Sequence, residues 1–554
     1  MEKNIRILKD GKFVEEKKVK IGSSLLDLAK KYEDGDYKIM VAGTWIKSAD
    51  LSGKIREGWD YIDFQTAKQV GGYRALERAI TFVFLRAAYE ILGKESEITV
   101  ENSLDKGVFC KVKPHIGWLS EETVAEIKDR MEEIIRNNEP FEKYHASPDE
   151  AALKIHPIYV KNKAKKWNKK EINMYRLGWM TDYFLDSLPP STGYITVFDL
   201  KYIDDGILIR MPSTKNPAEL PPFVHDRMMS ETYRETEDWL GIIGVPTVGH
   251  LNKAIENGNF RKVIQVSEAL HEKKISEIAN AITTMRKRII LIAGPSSSGK
   301  TSFAQRLAVQ LNVNGIKACT ISTDDYFIDR EFVAKDEEGK YLFEDLEAVD
   351  VELFNKHMNS LLAGEEVDIP IYDFISGKKI FGKRMKRLAP DETIIIEGIH
   401  GLNDALTPGI RSKDKFKIYI SPLTGLAINE HTRIYSSDAR LFRRLVRDAR
   451  TRNKSAEDTI SSWSVVRAGE EKNIFPFQED ADVMFNSALA YELAALKKYA
   501  KPVLDSVPKD AEKYYEAVRL SKLLDFFCEI PDESAILNNS LLREFIGGTC
   551  LFED

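Results

Sequence analysis

The chain has 554 residues, of which 43% are hydrophobic and 30% are charged, and this length corresponds to about three or four domains. The apolar fraction is large enough to build several cores, so a mainly disordered chain is excluded. Lys and Arg total 81 against 87 Asp and Glu, a net charge of −6. This balance excludes a globally basic nucleic-acid binder but leaves room for a local basic patch.

Cysteine content and hydropathy together predict the compartment. The four cysteines lie far apart and form no CxxC pair, so neither a disulfide framework nor a cysteine zinc site is expected. The first residues lack the apolar core of a signal peptide. The most apolar stretch, residues 79–92, is interrupted by Arg86 and Glu90 and is too short to span a bilayer. We therefore expect a protein of a reducing compartment, the cytoplasm.

The first predicted unit, residues 1–66, is a small β-grasp-like module. Its apolar pattern and turn signals predict, in order, a strand, a hairpin turn, a returning strand, a short helix and two further strands. These elements are expected at residues 5–8, at Asp10-Gly11, at residues 13–19, after Ser23 or Ser24 as helix cap, and at residues 40–43 and 61–64.

The second predicted unit, residues 67–212, mixes helices and strands. One helix is expected at residues 81–92, and a second begins after Ser120 with two glutamates in its first turn. Strands are expected at residues 194–200 and 206–211. Residues 213–286 are expected to be a linker, rich in Pro and polar residues up to residue 222, followed by connecting helices with one at residues 263–286.

The motif that carries chemistry begins after an apolar strand at residues 289–293. It fits GxxxxGK[ST], the phosphate-binding loop, and an amphipathic helix follows it. Glycines let backbone N–H groups turn toward an anion, and the helix N-terminus adds favourable dipole charge. Lys300 can reach the β- and γ-phosphates, and the Thr301 hydroxyl can bind Mg²⁺. The predicted ATP-binding residues are Gly294, Pro295, Ser296, Ser297, Ser298, Gly299, Lys300 and Thr301.

Two acidic residues follow further predicted strands. Asp324 comes after the strand at residues 318–322, and Glu397 ends the strand at residues 393–396. In open α/β sheets the working residues lie beyond the carboxyl ends of the strands. By position alone, Asp324 is a base toward a substrate hydroxyl, a helix cap or a Mg²⁺ ligand. An acid in the place of Glu397 would hold the magnesium or its water. A GTPase is disfavoured because no Asn-Lys-x-Asp motif occurs.

Residues 440–452 contain six arginines in thirteen positions. One interpretation is a solvated helix face. The other is a lid, because arginines behind a phosphate loop neutralise charge on the transferring phosphoryl group.

Together, the motifs between residues 288 and 492 resemble the uridine–cytidine kinase and phosphoribulokinase family, with its P-loop parallel-sheet fold. The resemblance implies ATP and Mg²⁺ as cofactors, Asp324 as the base toward a nucleoside 5′-hydroxyl, and a metal site at Thr301 and Glu397. It implies Lys300, Arg447 and Arg452 as further catalytic residues. It implies substrate contacts from Glu344, Tyr372, Phe374 and Arg444.

Two positions depart from that family. Uridine kinases have a pyrimidine-reading histidine a few residues after the tyrosine, whereas Gly377 stands at the matching place here. Phe327 stands where a tyrosine is usual near the sugar. Since a buried polar reader gives strong base discrimination, the nucleobase preference stays open.

The front half carries two further resemblances. Residues 1–66 resemble a TGS domain, and residues 67–212 resemble the second, editing-type domain of threonyl- and alanyl-tRNA synthetases. The metal- and water-holding positions of that editing site align with apolar residues, so no hydrolytic activity is expected. The aligned positions are Ala79, Val83, Phe184 and Leu188.

Residues 161–170 contain six lysines in ten positions around Trp167. This run is either a solvated loop or a contact to an RNA backbone, with Trp167 available for stacking.

The sequence thus predicts an α/β multidomain protein with a kinase domain at residues 287–500 and a C-terminal helical extension at residues 501–554. The expected activity is ATP-dependent phosphoryl transfer to the 5′-hydroxyl of a nucleoside, uridine by resemblance. Two alternatives stay open: an ATP-binding regulatory protein that docks RNA through its front half, and a kinase of a non-nucleoside sugar acceptor. A homo-oligomer is also open, and no membrane partner is expected.

Overall fold

The computed structural model describes the chain except for residues 34, 36, 45–47, 148–149, 152–171, 336–338, 340 and 553–554. The lysine-rich run around Trp167 lies outside the described residues. Within the described part, no helix is both long and apolar enough to cross a membrane. The cytoplasmic location stays a prediction.

Residues 2–65 form a five-stranded mixed sheet closed by one short helix. Ile5 and Ile7 are buried between outward-facing polar neighbours. Ser24 is the helix cap, since its side chain accepts a hydrogen bond from the Asp27 backbone N–H. The elements are β1 (Glu2–Lys9), β2 (Lys12–Lys20), α1 (Leu25–Ala29), β3 (Val41–Gly43), β4 (Ser48–Ala49) and β5 (Tyr61–Gln65), with sheet order β2-β1-β5-β3-β4. The predicted elements form in the predicted order, with one additional short strand, β4, and the TGS assignment stays a prediction.

The second unit packs two helices against antiparallel sheets. Its elements are α2 (Val70–Leu92), β6 (Glu97–Leu104), β7 (Gly107–Lys113), α3 (Glu121–Arg136), β8 (Glu142–Ala146), β9 (Ile172–Leu177), β10 (Met180–Tyr183), β11 (Asp199–Ile203) and β12 (Gly206–Arg210). The sheets have the orders β11-β12-β7-β6 and β10-β9-β8. Helix α2 is longer than predicted because most of its side chains are buried from Ala75 onward. The strand predicted at residues 194–200 is wrong in position, since the hairpin with β12 begins at Asp199.

Three connecting helices follow, and the predicted one at residues 263–286 forms as the last of them. They are α4 (Arg227–Ile243), α5 (Val248–Glu256) and α6 (Phe260–Thr284). Residues 213–222 carry no helix or strand, as expected of a linker.

The remaining chain is built on a parallel sheet. Its elements are β13 (Ile289–Ala293), α7 (Lys300–Val313), β14 (Lys317–Ser322), α8 (Val351–Leu362), β15 (Glu366–Asp368), β16 (Ile371–Asp373), β17 (Lys378–Ile380), β18 (Met385–Arg387), β19 (Glu392–Glu397), β20 (Lys415–Ser421), β21 (Ala427–Asn429), β22 (Thr432–Arg433), α9 (Ser436–Thr451), α10 (Ala456–Asn473), β23 (Val483–Asn486), α11 (Glu492–Asp505), α12 (Tyr514–Leu524) and α13 (Arg543–Ile546).

Five of these strands pair in the order β14-β19-β13-β20-β23, with every pair parallel. All five residues of β13 are buried, as expected for a strand covered on both faces. Since β19 lies between β13 and β14, the three carboxyl ends that carry the predicted motifs meet at one edge. The C-terminal extension is less helical than expected, because turns rather than helix connect α12 to the short α13.

Candidate functional site

The predicted phosphate loop lies between β13 and α7. A Cβ on Gly294 would lie 1.9 Å from the Ile420 carbonyl oxygen, so only glycine fits there, and Gly299 caps α7 with φ of +87°. The side-chain hydroxyls of Ser297 and Ser298 are buried and have no hydrogen-bond partner among the described residues. These hydroxyls and the free amides of a helix N-terminus fit an anionic group such as a phosphate.

Lys300 and Thr301 begin α7. The Lys300 ammonium bends back over the loop and donates to the carbonyl oxygens of Gly294 at 3.0 Å and Pro295 at 3.4 Å. The Thr301 hydroxyl lies 3.5 Å from Oε1 of Glu397. Oxygen ligands of this kind suit Mg²⁺, which keeps several waters and needs few protein ligands. Accordingly, no group of three or more His, Cys, Asp or Glu residues that could hold a metal occurs among the described residues.

The two predicted carboxylates lie at neighbouring strand ends. Ser322, the last residue of β14, pairs with Glu397, the last residue of β19, and Asp324 follows in a short 3₁₀ turn whose cap is Ser322. Burial raises the pKa of Asp324 above its ordinary value, and the nearby Lys300 opposes this rise. Burial also raises the pKa of Glu397 to about 7, with Lys300 again opposing and Asp324 adding to the rise. The two acids and one lysine therefore share one buried site.

The arginine-rich segment is helix α9, and its first arginines are buried against the phosphate loop. Arg440 donates to the Ser296 carbonyl oxygen at 3.0 Å, and Arg444 donates to the Ser296 hydroxyl at 3.0 Å. Arg443, which is fully buried, donates to the carbonyl oxygens of Ser297, Ser298 and Ser487. A solvated helix face is thus wrong for these three arginines, because they hold the loop in place.

The later arginines of α9 surround one buried carboxylate. Nitrogens of Arg444, Arg447 and Arg452 each lie 3.3 Å from an oxygen of Asp448. Three cations around one anion leave excess positive charge. The Arg452 cation lowers the pKa of Asp324. The positive charge around Asp448 therefore acts on the carboxylate at the end of the neighbouring strand.

On the acceptor side, the predicted substrate residues form an aromatic cluster with one acid. Phe327 lies 5.6 Å from Tyr372 and 5.3 Å from Phe343 between ring centres, and Tyr372 lies 5.1 Å from Phe374. Burial raises the pKa of Glu344, with a further rise from Glu470 and an opposing effect of Lys300. Glu344 therefore lies within the electrostatic reach of the phosphate loop.

Gly377, the position that departs from the family, packs against Arg330. A Cβ on Gly377 would lie 2.7 Å from Cβ of Arg330, and the Gly377 φ is +72°. The Arg330 backbone N–H donates to the Gly377 carbonyl oxygen at 2.8 Å, and its side chain donates to carbonyl oxygens of Phe374 and Ile375. Sequence reasoning assigned no role to Arg330, because nothing local to it marks this contact.

The sequence analysis also did not identify two acidic residues that accept hydrogen bonds from the phosphate loop and from the first turn of α7. Glu470 accepts a hydrogen bond from the Ser296 backbone N–H at 2.9 Å. Glu544, in α13, accepts from the Ser302 backbone N–H at 3.3 Å and from the Ser302 hydroxyl at 2.8 Å. Both lie more than 170 residues from their partners, so no sequence motif could join them.

In the front half, the four positions that align with the editing site are filled by apolar packing. Ala79, Val83 and Leu188 are fully buried, and Phe184 packs on Phe82 with ring centres 5.1 Å apart. The editing-type resemblance of this unit stays a prediction.

A phosphate loop after the central strand of a parallel sheet, with acids at the next strand ends, defines a P-loop nucleotide-binding domain. Residues 289–493 match the model of the phosphoribulokinase / uridine kinase family. A uridine kinase of Chloroflexus aurantiacus is 30% identical over 198 residues, which are 36% of this chain and 85% of that protein. A uridine kinase of Streptococcus thermophilus is 28% identical over 207 residues, which are 37% of this chain and 89% of that protein.

Among solved structures, a possible uridine kinase from Bacillus stearothermophilus is 24% identical and covers 26% of this chain and 79% of its own, with a TM-score of 0.23. From the family model and the curated relatives, the chain belongs to the phosphoribulokinase / uridine kinase family, a family of phosphotransferases. Residues 1–288 and 494–554 lie outside the matched region.

Proposed function

We propose that the chain transfers the γ-phosphoryl group of ATP to the 5′-hydroxyl of a nucleoside. The observation that carries this proposal is the meeting of Lys300, Asp324 and Glu397 beside the phosphate loop, in a domain whose relatives are uridine kinases.

The donor side is held by residues 294–301. The loop amides and the Lys300 ammonium bind the phosphate oxygens once Lys300 leaves the two carbonyl oxygens it now contacts. Thr301 and Glu397 would hold Mg²⁺ between them. When bound, Mg²⁺ supplies positive charge next to the transferring group.

Asp324 is the proposed base. Its carboxylate accepts the proton of the acceptor hydroxyl as that oxygen forms its bond to the γ-phosphorus and the bond to the bridging oxygen breaks. Its raised pKa favours holding the proton. Arg447 and Arg452 neutralise the transferring charge and exclude water, with the buried Asp448 fixing their positions.

The acceptor side is proposed to be Glu344 for the ribose hydroxyls, Tyr372 and Phe374 for the base, and Arg444 for charge near the acceptor. Tyr372 is buried whereas Phe374 is 59% exposed, so a flat ring stacked on this pair would cover apolar surface.

The experiment is an ATP-dependent phosphorylation assay over free purine and pyrimidine nucleosides. We expect product from at least one nucleoside, and Lys300→Ala and Asp324→Asn to lower the rate by about 100-fold or more. Asp325→Asn is the matched control, because Asp325 pairs with Arg384 at 2.6 Å and has no proposed part in the transfer. An enzyme that binds ATP and phosphorylates no nucleoside would contradict the proposal.

A non-nucleoside sugar alcohol is the second candidate acceptor, and the contact between Arg330 and Gly377 favours it. Arg330, which packs on Gly377, already donates to the carbonyl oxygens of Phe374 and Ile375 and offers no hydrogen-bond acceptor to a base, so an acceptor without a base would lose no hydrogen bond to it. The same assay with sugar alcohols separates the two.

A further inference from the structure

A cavity of about 120 Å³ lies between the front half and the kinase half. Its lining residues come from α2, from β6, from the segment after β10, from the residues between His431 and the first turn of α9, and from α12 with Phe526 after it. None of its lining residues belongs to the phosphate loop or the acceptor cluster described above.

The lining of this cavity carries more positive than negative charge. Five cationic side chains face three anionic ones, an excess of two positive charges. The lining His431 is not counted because its Nδ1 hydrogen-bonds the buried carboxylate of Asp182. The cations are Arg74, Arg78, Arg433, Arg519 and Lys522, and the anions are Glu77, Asp186 and Asp438.

Three of the five cations are already paired. Arg74 lies 2.9 Å from Asp438, and both terminal nitrogens of Arg519 bind the same carboxylate at 2.7 and 2.9 Å. Arg433 pairs with Glu77 at 2.6 Å. The carboxylates of Asp438 and Glu77 therefore already bind these three arginines.

The other two cations have no such partner. Arg78 donates to the Ser187 carbonyl oxygen at 2.6 and 3.2 Å, and neither it nor Lys522 is within ion-pair distance of a carboxylate in the described part of the chain. A half-buried guanidinium held only by a neutral carbonyl keeps donors for an anion.

The rest of the lining is suited to a ring with hydroxyl groups. Four aromatic side chains line the cavity: Phe184, Tyr435, Tyr515 and Phe526. The Tyr515 hydroxyl donates to one oxygen of Asp186 at 2.6 Å and the Ser187 backbone N–H donates to the other at 2.9 Å. The carboxylate is therefore oriented by two donors and keeps further oxygen lone pairs to accept a ligand's O–H groups.

We infer that this cavity binds the phosphate monoester of a ring-bearing alcohol, such as a nucleoside monophosphate. At neutral pH a phosphate monoester carries about −1.5 to −2 charges, which match the two unpaired cations. The monophosphate has two sources, the product of the proposed phosphoryl transfer or a nucleotide made by another enzyme.

The test is calorimetric titration of the full chain with UMP, CMP, AMP, GMP and inorganic phosphate, one at a time. It is done in the Lys300→Ala background, which removes binding at the phosphate loop, and the cavity variants below separate binding here from binding of a product at the proposed acceptor site. We expect one site for at least one monophosphate and weaker binding of inorganic phosphate. Preference for the monophosphate of the nucleoside that the enzyme phosphorylates identifies the product as the source, and preference for another identifies a different source.

Arg78→Met and Lys522→Met should each weaken this binding about tenfold or more. The matched controls are Arg227→Met and Lys113→Met, which remove exposed cations of the same types far from the lining. Lys522 is exposed, so its variant keeps the test valid if Arg78→Met fails to fold. Absence of binding for all four nucleotides, or binding unchanged in both cavity variants, overturns the inference. Inorganic phosphate binding as tightly as any monophosphate overturns the assignment of a ring-bearing ligand.

Discussion

Arg443 shows how a single buried residue fixes the phosphate loop. Its guanidinium is fully buried and is shared between two loop carbonyls, the Ser487 carbonyl and the carboxylate of Glu492. Arg447, one turn later on α9, is partly exposed, and its side chain hydrogen-bonds Asp448 alone among the described residues. Two arginines of the same sequence run therefore have different roles. Arg443 stabilises the phosphate loop, and Arg447 is proposed to act in the phosphoryl transfer.

Arg443→Met is expected to lower the free energy of unfolding by about 3 kcal/mol or more, because the buried Glu492 loses its partner. It should also weaken ATP binding, since the loop loses two hydrogen bonds. Arg447→Met is the paired variant and should lower the transfer rate while changing thermal stability little. Thermal unfolding and nucleotide titration of both variants check this, and equal stability of the two would contradict it.

His271 sets a pH dependence of stability. Its ring is buried between Trp239 and Phe485, its Nε2–H donates to the Ala488 carbonyl oxygen at 3.1 Å, and its Nδ1 has no hydrogen-bond partner among the described residues. Burial, together with the smaller effect of the nearby Arg306 cation, lowers the pKa of His271 to about 3. The folded protein therefore holds this ring neutral well below the pH at which an exposed histidine is protonated.

An unfolded chain binds a proton at His271 below about pH 6.5, whereas the folded chain does not bind it until about pH 3. Stability is therefore full above pH 6.5 and is lost as the pH falls from 6.5 toward 3, by about 1.4 kcal/mol per pH unit. In His271→Phe this part of the slope should disappear. Urea unfolding at pH 5, 6 and 7 measures it, with the exposed His115→Phe as control. An unchanged slope in His271→Phe would show that the ring is protonated in the folded protein.

At the scale of elements, α13 packs beside the phosphate loop from outside the part of the chain that matches the family, since the match ends at residue 493. Its Glu544 occupies the Ser302 amide in the first turn of α7, and Leu541 just before it is buried among side chains of α7. Amides in this turn are those that bind phosphates in P-loop proteins. A carboxylate there competes with the nucleotide for a donor and adds like charge.

Glu544→Gln is therefore expected to tighten ATP binding by roughly fivefold, about 1 kcal/mol, while keeping the shape of the side chain. Glu533→Gln is the control, because Glu533 lies in the same C-terminal extension and pairs with Lys498. Titration with a non-hydrolysable ATP analogue measures the effect. Weaker binding in Glu544→Gln would mean that the carboxylate supports the nucleotide site rather than competing for it.

What the sequence predicted at this scale followed from local pattern. The phosphate loop, the strands before Asp324 and Glu397, and the Ser24 and Ser120 caps each depend on residues a few positions apart, so they were found. Glu470, Glu544 and Arg330 reach the site by tertiary packing from distant segments, and no periodicity or motif marks them. The strand misplaced at residues 194–200 has the apolar alternation of a strand, but the pairing partner β12 begins the ladder only at Asp199.

For the whole molecule, the central fact is that the two halves share buried ion pairs. Glu77 of α2 accepts from Arg433 at 2.6 Å and from the Tyr435 hydroxyl at 3.0 Å, and the Val100 backbone N–H donates to the Glu430 carbonyl oxygen at 2.7 Å. Arg74 reaches Asp438 in the same way. In the sequence, Glu77 lies before the helix predicted at residues 81–92. No local pattern points to its partner, because that partner lies 356 residues away.

Glu77→Ala is expected to lower the free energy of unfolding by about 3 kcal/mol, because it leaves the Arg433 guanidinium buried beside Ser103 and Tyr435 without its carboxylate. Glu77→Gln keeps a hydrogen-bond acceptor and should cost less. The double variant Glu77→Ala, Arg433→Met should recover part of the loss, since it removes the unpaired charge as well. Scanning calorimetry of the full chain compares the wild type, Glu77→Ala, Glu77→Gln, Arg433→Met and the double variant. A double variant whose loss equals the sum of the two single losses would show that the pair does not couple the halves. Recovery would instead establish that the front half and the kinase half are stabilised through one shared buried charge pair.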